Sequence, residues 1–145
     1  MNKNRIKKYR IGDEIPSLIT RPISRSMLAL YAGASGDHNP IHIDFDFAKE
    51  IGLSDVIAHG MLVMSFIGQA MTNTFPQESI KKFDTKFISM TNINDILRCE
   101  GKIIDLELED SLKRLFLKLL VMDESGDKKL SGSAIVELVL NEKKI

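Results

Sequence analysis

The amino-acid sequence predicts an α+β fold in which an antiparallel sheet wraps around one buried helix. Residues 60–74 are apolar on almost every side, a pattern typical of a helix enclosed by other structure. Residues 78–142 instead alternate apolar and polar side chains, which indicates successive strands. A chain of 145 residues is long enough to bury a core of its own, so residues 1–145 are predicted to form a single domain.

The helices can be placed from their end signals. A first helix is predicted to begin after Ser24, a favourable N-cap residue, and to end at Gly36. The apolar residues that recur in it at helical spacing, and are predicted to form its buried face, are Met27, Leu30, Tyr31 and Ala34. Pro40 then excludes regular helix from the loop of residues 36–44. A short helix is predicted next, at about residues 46–51, before the central helix.

The strand region contains two further signals. Between Ile103 and Ile104 the apolar positions slip by one residue, which predicts a β-bulge. Residues 123–127, with Gly126, have the composition of a hairpin turn before a last strand at about residues 130–140. Because the connections are short, the strands are predicted to form a meander, in which neighbours along the chain are neighbours in the sheet.

The composition argues against several classes of protein. Lys and Arg together number 20, as do Asp and Glu, so the net charge of zero argues against a nucleic-acid binder that depends on bulk positive charge. The single cysteine, Cys99, excludes an intrachain disulfide, and its place in an alternating strand predicts burial. Basic residues 1–10 are not followed by the apolar run of a signal peptide, and the charge-free residues 56–77 are too polar to span a membrane. The expected location is the cytoplasm.

The residues with chemical potential are concentrated in one region. All three histidines lie within residues 38–59, and Asp37 precedes His42 by five residues on a loop stiffened by Pro40. A carboxylate and an imidazole placed in this way can converge on one small molecule and move protons near neutral pH. The alternative is a local role, with Asp37 forming an Asx-turn and Asp44 capping the next helix.

A metal site is not predicted, although His38 and His42 have the i, i+4 spacing of a zinc-binding pair. That spacing brings two imidazoles together on a helix, and Asn39-Pro40 disfavours a helix at this place. The sequence therefore predicts neither a metal nor another cofactor.

One segment resembles a known family. YAGASGDHNPIHID, from Tyr31 to Asp44 and followed by Phe47-Ala48, resembles the hydratase motif of the MaoC-like hydratase/dehydratase family, and IAHGML, residues 57–62, is similar to its second landmark. The family has the hot-dog fold, a long helix wrapped by a curved antiparallel sheet. Its members include (R)-specific enoyl-CoA hydratases and (3R)-hydroxyacyl-ACP dehydratases. The resemblance implies a lyase of fatty-acid metabolism that reversibly hydrates trans-2-enoyl thioesters of coenzyme A or acyl carrier protein to (3R)-hydroxyacyl thioesters.

The resemblance also implies roles for particular residues. Asp37 and His42 match the catalytic pair that holds the water. Gly60, at the start of the central helix, is expected to present its N–H to the thioester oxygen. Asn39, between the members of the pair, is expected to position the loop or to contact the thioester end. His59 matches the family as well, and its expected role is structural, at the entry to the helix.

The sequence departs from the family at one place and leaves other residues with two interpretations. Some (R)-hydratases have a serine on the central helix where this chain has Gly68, and Ser65 lies one turn earlier. His38 falls at a variable position of the motif and is not expected to be catalytic. The residues that are either core filler or the lining of an acyl tunnel are Met61, Met64 and Met71. The residues that either form a solvated strand face or meet the phosphates of coenzyme A or an acidic carrier are Lys81, Lys82 and Lys86.

The resemblance bears on assembly and leaves alternatives for function. Members that add water with R stereochemistry are dimers of single hot-dog domains or tandem double ones, and this chain has room for one. A homodimer is expected, and a heterodimer is the alternative. The alternative functions are a non-catalytic hot-dog subunit or acyl-thioester-binding protein, and then a thioesterase.

Overall fold

A computed structural model describes residues 9–140. After a short first strand, the helices come first along the chain and the other strands follow. The helices are α1 (Arg25–Ser35), α2 (Phe45–Glu50) and α3 (Gly60–Thr74), with short 3-10 helices at Pro40–His42 and Gln77–Ser79. The strands are β1 (Leu18–Ile19), β2 (Ile80–Phe87), β3 (Arg98–Glu109), β4 (Leu112–Met122) and β5 (Lys128–Val139). Most of the basic N-terminus, residues 1–8, and the end of the predicted strand region, residues 141–142, lie outside the described residues.

The core lies between α3 and one face of a curled antiparallel sheet. The buried residues of α3 are Leu62, Val63, Ile67, Ala70 and Met71. The buried apolar residues of β3, β4 and β5 alternate along each strand and are Cys99, Ile103, Leu115, Leu117, Leu119, Val121, Leu130, Ala134, Val136 and Leu138. This is the hot-dog arrangement, and the predicted α+β fold with a sheet around a central helix is confirmed.

The predicted helix ends agree with the structure. The Ser24 hydroxyl accepts a hydrogen bond from the Met27 N–H, as an N-cap does, and Gly36 ends α1 in the left-handed region at φ 76°. Asp44 caps α2 by accepting from the Phe47 N–H. Among residues 9–140, no helix combines the length and the hydropathy needed to cross a bilayer.

The predicted buried face of α1 is wrong in part. Leu28 and Ala32 are the buried residues of this helix, whereas Leu30 is 75% exposed and Ala34 is exposed. The predicted face and the observed one have the same helical spacing and differ in rotation about the helix axis. The orientation of α1 against the core decides between them, and it depends on tertiary packing that helical spacing does not specify.

The predicted meander is correct for β3, β4 and β5 and wrong for β2. The sheet has the order β1-β3-β4-β5-β2, so β2 pairs with β5 and leaves its other edge open. Residues 88–97, the crossover segment, connect β2 at one edge of the sheet to β3 across it. The backbone of this segment bonds to other parts of the chain. The Ile88 N–H donates to the Lys129 carbonyl, and the Asn94 N–H donates to the Ile23 carbonyl.

The predicted irregularities of the strands are confirmed. The pairing of β3 with β4 shifts register between Ile103 and Asp105, where the alternation slips. Gly126 lies in the hairpin turn before β5 at φ 86°. Cys99 is buried, and its burial raises the pKa of the thiol to about 12, so this cysteine is protonated and unreactive at neutral pH.

Gly132 allows β2 to approach β5, and replacing it tests this pairing. A Cβ at Gly132 would lie 2.3 Å from the Asp84 carbonyl oxygen on β2. We expect Gly132→Ala to lower the free energy of unfolding by about 1–3 kcal/mol, since the backbone of β2 has to move. Urea unfolding measures the change, with Ser133→Ala, an exposed position on the same strand, as the control. Equal stability of the two variants would contradict the close approach.

Candidate active site

The loop between α1 and α2 is built from short side chains that bond to the backbone. The Asp37 N–H donates to the Ser35 hydroxyl at 3.1 Å, and the Asn39 N–H donates to Asp37 Oδ1 at 3.3 Å. The Ile41 N–H donates to Asn39 Oδ1 at 3.1 Å, where Pro40 begins the short 3-10 turn. Asn39 thus bonds to the backbone of the loop, its role in positioning the loop stays a prediction, and Asp37 also takes part in a local turn.

His42 presents one nitrogen to the site and uses the other for anchoring. Its Nδ1 lies 2.7 Å from the Ile57 carbonyl oxygen. Because a carbonyl oxygen only accepts, Nδ1 carries the hydrogen of the neutral ring and Nε2 holds the lone pair. His42 is thus fixed in the tautomer that has a basic nitrogen available for a ligand.

His59 lies behind the pair and braces it. Its side chain is 1% exposed, stacks on the His42 ring with a centroid distance of 3.9 Å, and meets the Tyr31 ring edge-on at 4.8 Å. Its Nε2 is 3.1 Å from the main-chain oxygen of Asp37, to which it donates. Burial lowers the pKa of His59, and the neighbouring His42 also lowers it, so His59 is neutral at pH 7. These contacts support the structural role expected for His59.

The three side chains converge within a small space. One polar side-chain atom from each of Asp37, His42 and His59 lies within 4.8 Å of the other two. These are residue types that bind metals, but the two imidazole planes are only 27° apart and stacked, so their in-plane lone pairs do not meet at one point. The arrangement suits proton transfer between a carboxylate and an imidazole better than it suits a metal centre.

A cavity of about 490 Å³ opens beside His42 and the start of α3. The large apolar side chains that line it are Ile57, Val63, Phe87, Ile88 and Met90. Gly60 also lines it, and as the first residue of α3 its N–H has no acceptor within the helix. A Cβ on Gly60 would lie 3.1 Å from the Phe87 ring, so a glycine lets this ring pack closely against the helix N-terminus. The structure therefore places His42 and Gly60 on the cavity wall and Asp37 beside His42.

Other predicted residues lie elsewhere. Gly68 faces the Phe83 ring, and the Ser65 hydroxyl donates to the Leu62 carbonyl of its own helix, so Ser65 does not replace the missing serine. Met71 is buried in the core, whereas Met61 is 54% exposed. The exposed lysines of β2 are Lys81, Lys82 and Lys86, and this agrees with a solvated strand face.

Sequence reasoning did not single out Lys129, the one lysine among the described residues that line this cavity. Its side chain is 3% exposed and it lies on the cavity wall. The predicted last strand begins at about residue 130, so Lys129 falls just before it, and Asp95, one of the carboxylates that surround it, comes from a distant part of the sequence. The only signal in the sequence is the group of acidic residues in the hairpin, which is typical of a solvated turn.

The fold and the site together define a hot-dog domain with a carboxylate and an imidazole at the N-terminus of its central helix. The family profile described as "MaoC like domain" matches residues 7–114 of the sequence, and the chain belongs to this family.

Individual relatives agree with this assignment. The fatty acid synthase beta subunit hexB of Dothistroma septosporum is 32% identical over 111 residues, which are 74% of this chain and 6% of that protein. The (R)-specific enoyl-CoA hydratase of Rhodospirillum rubrum is 38% identical over 58 residues, 40% of each chain. The aligned part is thus well under two thirds of these relatives' length. The solved (R)-hydratase from A. caviae involved in PHA biosynthesis superposes with a TM-score of 0.80 at 22% identity, over 91% of this chain and 98% of that one. The last likeness shows the fold.

Proposed function

We propose that the protein is a hydro-lyase that reversibly adds water to trans-2-enoyl thioesters and gives (3R)-hydroxyacyl thioesters in fatty-acid metabolism. The observation that supports it most is the convergence of Asp37 and His42 beside a cavity. The wall of this cavity includes Gly60, the first residue of α3. This pairs acid–base groups with a donor for a developing negative charge. The family membership and the (R)-hydratase relatives point to the same chemistry.

The proposed reaction balances within this site. A water molecule held by Asp37 and His42 attacks C3 of the enoyl group, and the electrons of the double bond move onto the thioester oxygen. The pair takes one proton from the water and delivers one to C2, so its net charge is the same before and after turnover. The Gly60 N–H, helped by the dipole of α3, stabilises the enolate-like oxygen between these events. Dehydration follows the same steps in reverse.

The carrier of the acyl group is coenzyme A or acyl carrier protein, which share the phosphopantetheine thioester. The cavity wall is mostly apolar, and this suits an acyl chain attached to such a thioester. We propose the acyl thioester as the substrate class. The cytoplasmic location and the single domain over residues 1–145 stay predictions.

We also propose that two copies of the chain form a homodimer. β2 leaves one edge of the sheet unpaired, and exposed apolar side chains surround that edge and the open side of α3. Those side chains are Met61, Phe87, Ile88 and Met90, each half exposed or more. The open side of α3 also departs from the prediction that this helix is enclosed all round. The mass of the isolated protein, measured by light scattering, tests the dimer against the 16.3 kDa chain, and a monomer that assembles only with a related hot-dog chain would favour the heterodimer.

Hydration of crotonyl-CoA by the purified protein tests the proposed reaction. Loss of the enoyl thioester absorbance with formation of the (3R)-hydroxy product is the expected result. Tight binding of acyl-CoA without turnover at any chain length would favour a binding subunit instead. Release of free thiol from acyl-CoA would favour a thioesterase.

A further inference from the structure

Lys129, on the cavity wall, joins three separate parts of the chain. Its ammonium lies 2.8 Å from Asp127, 3.1 Å from Asp123 and 3.5 Å from Asp95, and donates to the Met90 carbonyl at 3.0 Å. Asp123 and Asp127 belong to the hairpin before β5, whereas Asp95 and Met90 belong to the segment that crosses the sheet. One buried cation therefore holds the hairpin and the crossover segment together.

The crossover segment forms one wall of the cavity at residues 88–91. Its attachment depends on Lys129 and its neighbours. The Ile88 N–H donates to the Lys129 carbonyl at 2.9 Å, and the Ser89 hydroxyl donates to the Asp127 carboxylate at 2.8 Å. Within one chain, residues 88–90 are exposed and these bonds hold them, whereas Thr91 is buried and its carbonyl also accepts from the Ala58 N–H at 2.9 Å.

The network is ionised and resists displacement by an apolar ligand. Hydrogen bonds from Ser125 and Lys129 lower the pKa of Asp123 to about 2. The hydrogen bond from Lys129 also lowers the pKa of Asp127. Burial by itself disfavours the charged lysine, but the hydrogen bonds to Asp127 and Asp123 outweigh it and raise the pKa of Lys129. A hydrocarbon tail that reached this point would separate or desolvate these charges, which is costly.

We propose that Lys129 is a positioning residue that fixes the cavity wall at residues 88–91 and, by closing the cavity with ionised groups, limits the length of the acyl group that the site accepts. The proposal rests on the proposed function for its substrate class, an acyl thioester. It assigns the lysine no part in the chemistry, because the lysine belongs to the wall and the reacting groups are Asp37, His42 and the Gly60 N–H.

The test compares Lys129→Met with wild type on acyl-CoA esters of increasing length. Methionine keeps most of the length of the side chain and removes the charge. The preference for the longest over the shortest enoyl-CoA, measured as the ratio of kcat/KM values, is expected to rise about tenfold or more. Lys128→Met, at the exposed neighbouring position, is the matched control and is expected to keep the wild-type ratio. Lys129→Arg keeps the charge with a bulkier head group and is expected to lower the ratio.

Equilibrium binding of butyryl-, hexanoyl-, octanoyl- and decanoyl-CoA, which cannot be hydrated, separates this inference from the proposed reaction. A shift of the binding preference towards longer chains in Lys129→Met supports the inference even if the wild-type protein has no hydratase activity. An equal loss at every length, or an unchanged preference, overturns it while leaving the hydratase proposal intact. If Lys129→Met does not fold, Lys129→Arg decides, since an unchanged preference in that variant also overturns the inference.

Discussion

Asp37→Asn is expected to reduce kcat/KM for crotonyl-CoA by about 100- to 10,000-fold, the usual contribution of a positioned acid–base group. Asparagine has nearly the same shape, and its side-chain oxygen can still accept the Asn39 N–H that bonds to Asp37 Oδ1. The loop should therefore keep its conformation while losing the carboxylate. His42→Gln is expected to have a similar effect, since the glutamine amide can still donate to the Ile57 carbonyl but has no basic nitrogen.

Two controls make this prediction specific. His38→Gln alters an exposed histidine of the same loop and is expected to leave kcat/KM unchanged. The double variant of Asp37 and His42 is expected to lose little more than either single one, because groups that act as a unit are not additive. Thermal unfolding of each variant shows whether it is folded. A folded Asp37→Asn or His42→Gln protein with wild-type turnover would remove that residue from the proposed mechanism.

The features that the sequence predicts correctly are those decided by neighbouring residues. Ser24 caps α1 through a side chain three residues from its partner, and α3 begins at Gly60 as its apolar pattern predicts. The bulge after Ile103 is visible because a slip of one residue exchanges the two faces of a strand. Asp37 and His42 are five residues apart in the same loop, so their closeness is also decided by a short stretch of sequence.

The features that the sequence leaves open depend on contacts between distant segments. Alternation assigns each residue of β2 to a face but does not say which strand lies beside it, so the pairing with β5 was not predictable. The stacking of His59 on His42 needs α3 to return to the loop. The burial of Lys129 needs Asp95, from a distant segment, to meet Asp123 and Asp127 of the neighbouring hairpin around it.

The proposed role of Gly60 can be tested by deleting its N–H with little disturbance of the helix. Gly60 is the first residue of α3, where proline is favoured because no N–H is needed there. The preceding His59 has φ −59° and ψ 132°, the extended backbone that a residue before proline prefers. Gly60→Pro should therefore fold with α3 intact and without the amide that we propose faces the thioester oxygen.

The comparison that isolates the hydrogen bond is Gly60→Pro against Gly60→Ala. Both variants add a Cβ, which lies near the half-exposed Phe87 ring and can displace it, but only alanine keeps the N–H. We expect kcat of the proline variant to be about 100- to 1,000-fold below that of the alanine variant, the usual loss for one donor to a developing oxyanion. The dissociation constant of butyryl-CoA should differ much less, because the hydrogen bond strengthens as negative charge develops on the oxygen. Equal kcat values for the two folded variants would mean that another group stabilises the enolate-like oxygen, whereas equal losses in kcat and in binding would assign the effect to the proline ring blocking the site.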